Sequence, residues 1–141
     1  MLNPTKYIRQ GVVNTLRNFG ITEPIYEGRV PRGVNPPPTS YILLTSPTLN
    51  QFAVSKDDKE WQPTINVDVN KVNPQGFNSG NSLDDLVERI MNALEQINVP
   101  NFIVKNKKHA LQNMVDLPLE TDTASIQRRV LTYQFWVNNV D

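Results

Sequence analysis

The sequence contains no cysteine, which excludes disulfides, thiolate metal centres and a cysteine nucleophile. It contains a single histidine, His109, so the paired imidazoles of most zinc sites are excluded too. Neither charge is in surplus: fourteen Lys plus Arg stand against fourteen Asp plus Glu. No global field therefore draws the chain to nucleic acid or to an acidic membrane, and any electrostatic role must be local. Near-neutrality in a chain this small also favours self-association. No window approaches the roughly 18 apolar residues of a membrane span, and MLNPTKYIRQ lacks the basic start and apolar run of a signal peptide. The expectation is a soluble intracellular protein with no membrane partner. Gly28, Gly33, Gly76 and Gly80 are scattered, and none stands between a strand and a helix as a phosphate cradle requires.

Two segments repeat apolar residues at helical spacing. From Asn3 to Phe19, Ile8, Val12, Leu16 and Phe19 form one stripe with Val13 beside it, Asn-Pro opens the helix and Gly20 caps it. From Leu83 to Ile97 the stripe is Leu83, Leu86, Val87, Ile90, Met91, Leu94 and Ile97. Ser82 with Asp85 resembles a capping box, and Pro100 forbids continuation. Elsewhere the period is two. Ile65, Val67 and Val69 alternate with Asn66, Asp68 and Asn70, while Leu131, Tyr133, Phe135 and Val137 alternate with Thr132, Gln134, Trp136 and Asn138. Trp136 on the nominally polar side predicts that this side also meets something. Shorter strands are predicted at Ile25–Val30, Tyr41–Thr45, Phe102–Lys105 and Leu111–Asp116.

The order helix, two or three strands, helix, three strands predicts an α+β fold: a mixed, mainly antiparallel sheet with two amphipathic helices packed on one face. The 141 residues are read as one domain with long loops at 31–39, 71–81 and 117–125. The first loop lies in EGRVPRGVNPPPTSYILLTSP, Glu27 to Pro47. Consecutive prolines fix an extended backbone without amide donors, giving either a stiff contact arm or an edge-strand stop.

The search for catalytic groups returns none. His109 follows Lys105-Asn106-Lys107-Lys108 in what reads as a hairpin tip, where a lone histidine is ordinarily solvated. Asp68 reads as an acid on the polar side of a strand, and Asp57, Asp58 and Glu60 as loop acids without the spacing of a calcium loop or a glycosidase pair. No catalytic residue, cofactor or metal is expected. Basic residues form three small groups: Lys105, Lys107 and Lys108 at one tip, Arg29 and Arg32 around Pro31, and Arg128 and Arg129 opening the last strand. Repeated around a pore, such residues make a collar that meets DNA phosphates without reading sequence.

Val30-Pro31 with further prolines before Tyr41-Ile42-Leu43-Leu44, the strand Thr64 to Val69 and the closing strand Arg129 to Val137 complete a pattern. Together with the two helices, it resembles the tail-terminator and tail-completion (head-tail joining) proteins of tailed bacteriophages over nearly the whole chain. The resemblance implies a structural virion protein without enzymatic activity. Such a protein forms a ring, commonly of six copies, at the head-proximal end of a tail, ends tube growth and joins the tail to the head connector around the DNA channel. It also implies a tail-tube protein, a head-side connector or adaptor and passing double-stranded DNA as partners, and residence in the virion after assembly in the host cytoplasm. On that reading Arg29, Arg32, Pro36, Pro37, Pro38, Phe77 and Trp136 are candidate subunit or partner contacts, and Lys105, Lys107 and Lys108 candidate channel residues. The loop from Asn70 to Asn81 is longer than the family's pattern. The alternatives are another neck, adaptor or tail component, or a small enzyme or ligand-binding domain with its pocket between the sheet and the long loops.

Overall fold

The computed structural model describes residues 4–34, 38–54, 59–74, 80–120 and 124–139. In chain order the elements are α1 (Pro4–Asn18), β1 (Ile25–Glu27), β2 (Ser40–Val54), β3 (Lys59–Pro74), α2 (Gly80–Leu94) and β4 (Phe102–Val104). A 3-10 turn (Lys107–His109), β5 (Leu111–Asp116), β6 (Leu119–Glu120), β7 (Ala124–Gln134) and β8 (Val137–Asn139) follow. The strands form one sheet in the order β1-β2-β3-β7-β5, with β6 on β7 and β8 joining β3 to β4. Among the described strands only β1 and β2 run parallel, so the fold is α+β with a mixed, mainly antiparallel sheet.

The period-two and period-3.6 patterns meet in one core. Ile42 and Leu44 of β2, Ile65, Val67 and Val69 of β3, and Leu131 and Tyr133 of β7 are buried together with Ile8, Val12 and Leu16 of α1 and Leu83, Leu86, Val87, Ile90 and Leu94 of α2. Each such aliphatic side chain contributes about 1.5–3 kcal/mol by leaving water. α1 also packs against the segment after α2. There an added Cβ on Gly11 would stand 2.8 Å from the Asn98 carbonyl oxygen, and Thr15 Oγ1 accepts from the Asn98 N–H at 3.3 Å. Only a residue without a side chain permits that approach.

Several boundaries differ from the sequence expectation. Phe19 lies beyond the end of α1 and is 45% exposed, outside the buried stripe. α2 starts at Gly80, so Ser82 lies inside the helix instead of capping it, and its hydroxyl accepts from Lys71 Nζ. β2 and β3 form a much longer hairpin than Tyr41–Thr45 and Thr64–Val69, with register shifts between Thr45 and Thr48 and between Gln51 and Ala53. The expected 71–81 loop is therefore strand to Pro74 and helix from Gly80, and the 117–125 loop contains β6 paired with Ser125 and Ile126. Glu60 is a strand residue of β3, not a loop acid; Asp57 and Asp58 lie outside the described residues.

The last strand breaks after Gln134 and resumes at Val137, because pairing passes from β7 to β8. The Asn106 side chain spans the break: Nδ2 donates to the Gln134 carbonyl at 2.9 Å and Oδ1 accepts from the Trp136 N–H at 2.8 Å. The inward alternation of Tyr133, Phe135 and Val137 survives, and Tyr133 stacks on Phe135 with ring centroids 5.6 Å apart.

Burial, with the Glu95 charge second, pushes the Tyr133 phenol well above its ordinary value. A raised folded-state value means that the unfolded chain loses the phenolic proton first. The resulting stability is complete below about pH 10 and lost as pH rises further, at up to about 1.4 kcal/mol per pH unit for one group. Denaturant unfolding between pH 9 and 11 is expected to give a shallower loss of stability in Tyr133→Phe than in the wild type; equal slopes would refute this origin.

Candidate functional site

The two helices lie on one face of the sheet, and to the other pleating sends Tyr41 and Leu43 from β2, Asn66, Asp68 and Asn70 from β3, and Ile126, Arg128, Val130 and Thr132 from β7. Asn70 stands opposite Arg128, which brings that guanidinium diagonally onto Asp68. Arg128 Nε lies 3.0 and 2.9 Å from the two Asp68 carboxylate oxygens, and a second guanidinium nitrogen lies 2.7 Å from Oδ2. Asn70 Nδ2 donates to Asp68 Oδ1 at 3.0 Å and to the Asp68 carbonyl at 3.1 Å. Asp68 is 6% exposed and Asn70 3%, so neither is the solvated group that its place in the alternation predicts. The hydrogen bond to Asp68 raises the Arg128 pKa, and burial followed by the Asp68 charge raises that of Tyr41.

A concavity of about 500 Å³ opens on this face, lined by Tyr41, Leu43, Asp68, Ile126 and Arg128 with the connection 116–119 from β5 to β6. Asp68 and Arg128 satisfy each other, since both Asp68 oxygens accept from Arg128; Asp116 accepts from Arg129, and Tyr41 holds its proton more firmly than usual. The Asp68 carboxylate is thus occupied by a cation and the Tyr41 phenol is held protonated, the opposite of what a general base or a nucleophile needs. The concavity can recognise a shape or an apolar side chain.

Arg129, next along β7, points to the helix side. There it donates to Asp84 of α2 and to Asp116 of β5, each at 2.6 Å. Hydrogen bonds to Asp116 and then Asp84 raise its pKa against the opposing effect of burial. Arg128 and Arg129 thus do not open the last strand. They sit mid-β7 and bind carboxylates on opposite faces of the sheet.

The structure separates the other sequence candidates. Arg29 and Arg32 are exposed in the turns after β1, where Gly28 and Gly33 have φ of 80° and 85°, and Pro38 leads half-buried into β2. Pro36, Pro37 and Phe77 lie outside the described residues. Trp136 is 43% exposed at the β7–β8 break, beside Lys105, whose backbone N–H donates to the Trp136 carbonyl at 2.8 Å. The Lys105 ammonium pairs with Glu60, so Lys105 differs from Lys107 and Lys108, which stand exposed with His109 in the 3-10 turn. That turn leads into β5, at the opposite edge of the sheet from β1. Sequence reasoning missed the exposed apolar side chains of that edge, Met114, Val115, Leu117 and Leu119. The only available signal was an apolar residue at nearly every second position of LQNMVDLPL.

No protein-family model matches the sequence, and no curated protein matches it. Its fold is similar to that of a chain in a solved structure described as the virion of a native gene transfer agent particle. The TM-score is 0.64, the identity 13%, and the match covers 99% of this chain and 100% of that one. A second solved chain aligns at a TM-score of 0.49 and 16% identity, over 92% of this chain and 94% of that one. The first likeness establishes a shared fold across the full length of both chains.

Replacing Arg128 by Met would leave the buried Asp68 carboxylate without its main partner. Full burial of such an orphan costs about 3–5 kcal/mol. The Arg128 side chain is 40% exposed, and solvent screening brings the expected loss to about 2 kcal/mol. Chemical denaturation of Arg128→Met and of Asp68→Leu/Arg128→Met tests this: the double variant is expected to recover most of the stability, and additive losses would contradict a coupled pair.

Proposed function

We propose that this protein is a structural component of a phage-like virion. It assembles six copies into a ring at the head-proximal end of a tail, ends growth of the tail tube and joins the tail to the head-side connector around the DNA channel. The observation that carries this reading is the likeness in fold, over the whole of both chains, to a chain of a gene transfer agent virion. The sequence resemblance to tail terminators agrees with it. The partners on this reading are further copies, the tail-tube protein, a connector or adaptor and passing DNA, and the protein resides in the virion after assembly in the host cytoplasm. On this reading its role is structural and not catalytic. Lys107 and Lys108 face the channel, while the Lys105 charge is spent on Glu60. The concavity over Tyr41, Asp68 and Arg128 favours one other reading, a small ligand-binding domain.

Co-expression with the tail-tube protein of the same particle, followed by negative-stain microscopy, is expected to give tubes closed at one end by a ring with a central hole. Lys107→Glu/Lys108→Glu rings should form as well as wild-type ones, while particles carrying them retain less DNA. A protein that stays monomeric and leaves tube ends bare would sink the ring reading. Unchanged DNA retention in the double variant would remove the lysines from the channel.

A further inference from the structure

The face of the sheet turned away from the helices differs from the rest of the surface in its charges. Among the described residues, the strands and the residues that continue them send four charged side chains to it: Glu60 and Asp68 from β3, Lys105 after β4 and Arg128 from β7. All four are paired on that face, Asp68 with Arg128 at 2.7 Å and Glu60 with Lys105. Charges without an ion-pair partner among the described residues lie elsewhere: Arg29 and Arg32 in the turns after β1, Asp85 and Glu88 on α2, and Lys107 and Lys108 in the 3-10 turn. Apolar side chains are distributed the other way. Of the large ones that stand exposed among the described residues, Phe19 and Met114 lie off this face, while Ile103, Val115, Leu117, Leu119 and Trp136 lie on it. Register fixes their side. Val115 stands opposite Val130, Leu119 opposite Ile126, and Ile103 opposite Asn138, which is itself opposite Glu60. The pairing of β3 with β8 continues the register of β3 with β7, so Trp136 between them stays on the side of Thr132 and Gln134.

We infer that this face is a docking surface for a protein that presents an uncharged, apolar surface, and that its occupant is the end of the tail tube; the choice of occupant rests on the ring reading above. Nucleic acid does not suit the face, because phosphates are held by unpaired cations and among the described residues its strands present none. A patch whose centre is poor in free charge and rich in apolar and aromatic side chains, with charge at its border, is what a protein partner buries. Trp136 and Ile103 anchor one end and Leu117 and Leu119 the other, beside the concavity, while Lys107 and Lys108 border it. A second copy is the wrong occupant on two counts. Contact between like faces needs a two-fold axis, which a ring of like-oriented copies lacks. A lateral neighbour would instead bring its helices or turns, and Arg29, Arg32, Asp85 or Glu88 would be buried against a face with no charge left to meet them. Ending tube growth means covering the tube's end as a further tube subunit would, and that task falls to a broad face, not to a turn or an edge.

Lysine placed on the face of the full-length protein tests it. Ile103→Lys sets an unpaired cation at the Trp136 end and Leu119→Lys at the concavity end; Phe19→Lys makes the same change off the face, and circular dichroism checks the fold of all three. The fraction of capped tube ends is counted by negative-stain microscopy as each protein is titrated onto purified tubes of the same particle. Ile103→Lys and Leu119→Lys are each expected to raise the concentration for half-capping about tenfold or more, as loss of an interface anchor does, with Phe19→Lys capping like the wild type. A wild type that caps tubes, with both face variants capping equally well, would overturn the docking surface and leave the ring reading intact. Face variants that no longer form rings at all would place the face between copies and overturn it too. Loss of binding to the connector, with tube capping unchanged, would show that the tube is not the occupant. A wild type that leaves tube ends bare would end the ring reading and this inference together.

Discussion

β3 is hydrogen-bonded along both edges, to β2 on one side and to β7 and β8 on the other, and the rest of the structure follows from that position. A central strand has no solvated edge, so both sets of its alternating side chains must find partners. Ile65, Val67 and Val69 find the helices. Asp68 and Asn70, on the reverse side, become buried polar groups whose desolvation is tolerable only if every hydrogen-bonding site is filled. Arg128 and Asn70 fill those of Asp68, and a one-residue slip of β7 against β3 would turn Arg128 to the helix side and leave the carboxylate bare. The ion pair therefore acts less as a source of stability than as a lock on register.

The same alternation explains why two neighbouring arginines serve different ends. Arg128 serves the face turned away from the helices, while Arg129 reaches across the helix face to fasten α2 and the edge strand β5 together. A single strand thereby couples the packing of the helices to the shape of the opposite concavity.

The parts of the fold legible in the sequence were those where one face meets one partner. The helical stripes of Ile8, Val12 and Leu16 and of Leu83 to Leu94 named the core correctly, and Leu111–Asp116 was bounded as found. The parts that were not legible depend on a third element. The burial of Asp68 is set by what β2 and β7 place around it, which period two cannot express. The start of α2 at Gly80 runs against the expectation that Ser82 caps the helix; instead Lys71 from β3 holds that hydroxyl inside the first turn. The extension of β2 past Thr45 runs through a proline, and the register shifts between Thr45 and Thr48 let the ladder continue past it. Of the site, Trp136, expected on a side that meets something, stands 43% exposed in this chain, and the engagement of Lys105 by Glu60 required β3 to begin upstream of Thr64, at Lys59.

Net charge was the least informative number, because summing over the chain erases position. Much of the cancellation takes place pair by pair, with Lys105 on Glu60, Arg128 on Asp68 and Arg129 on both Asp84 and Asp116. Within the concavity Asp68 and Arg128 neutralise each other, while Arg29, Arg32, Asp85 and Glu88 stand exposed elsewhere on the surface. Charge placed at the rim of a small domain steers encounter and orientation between macromolecules.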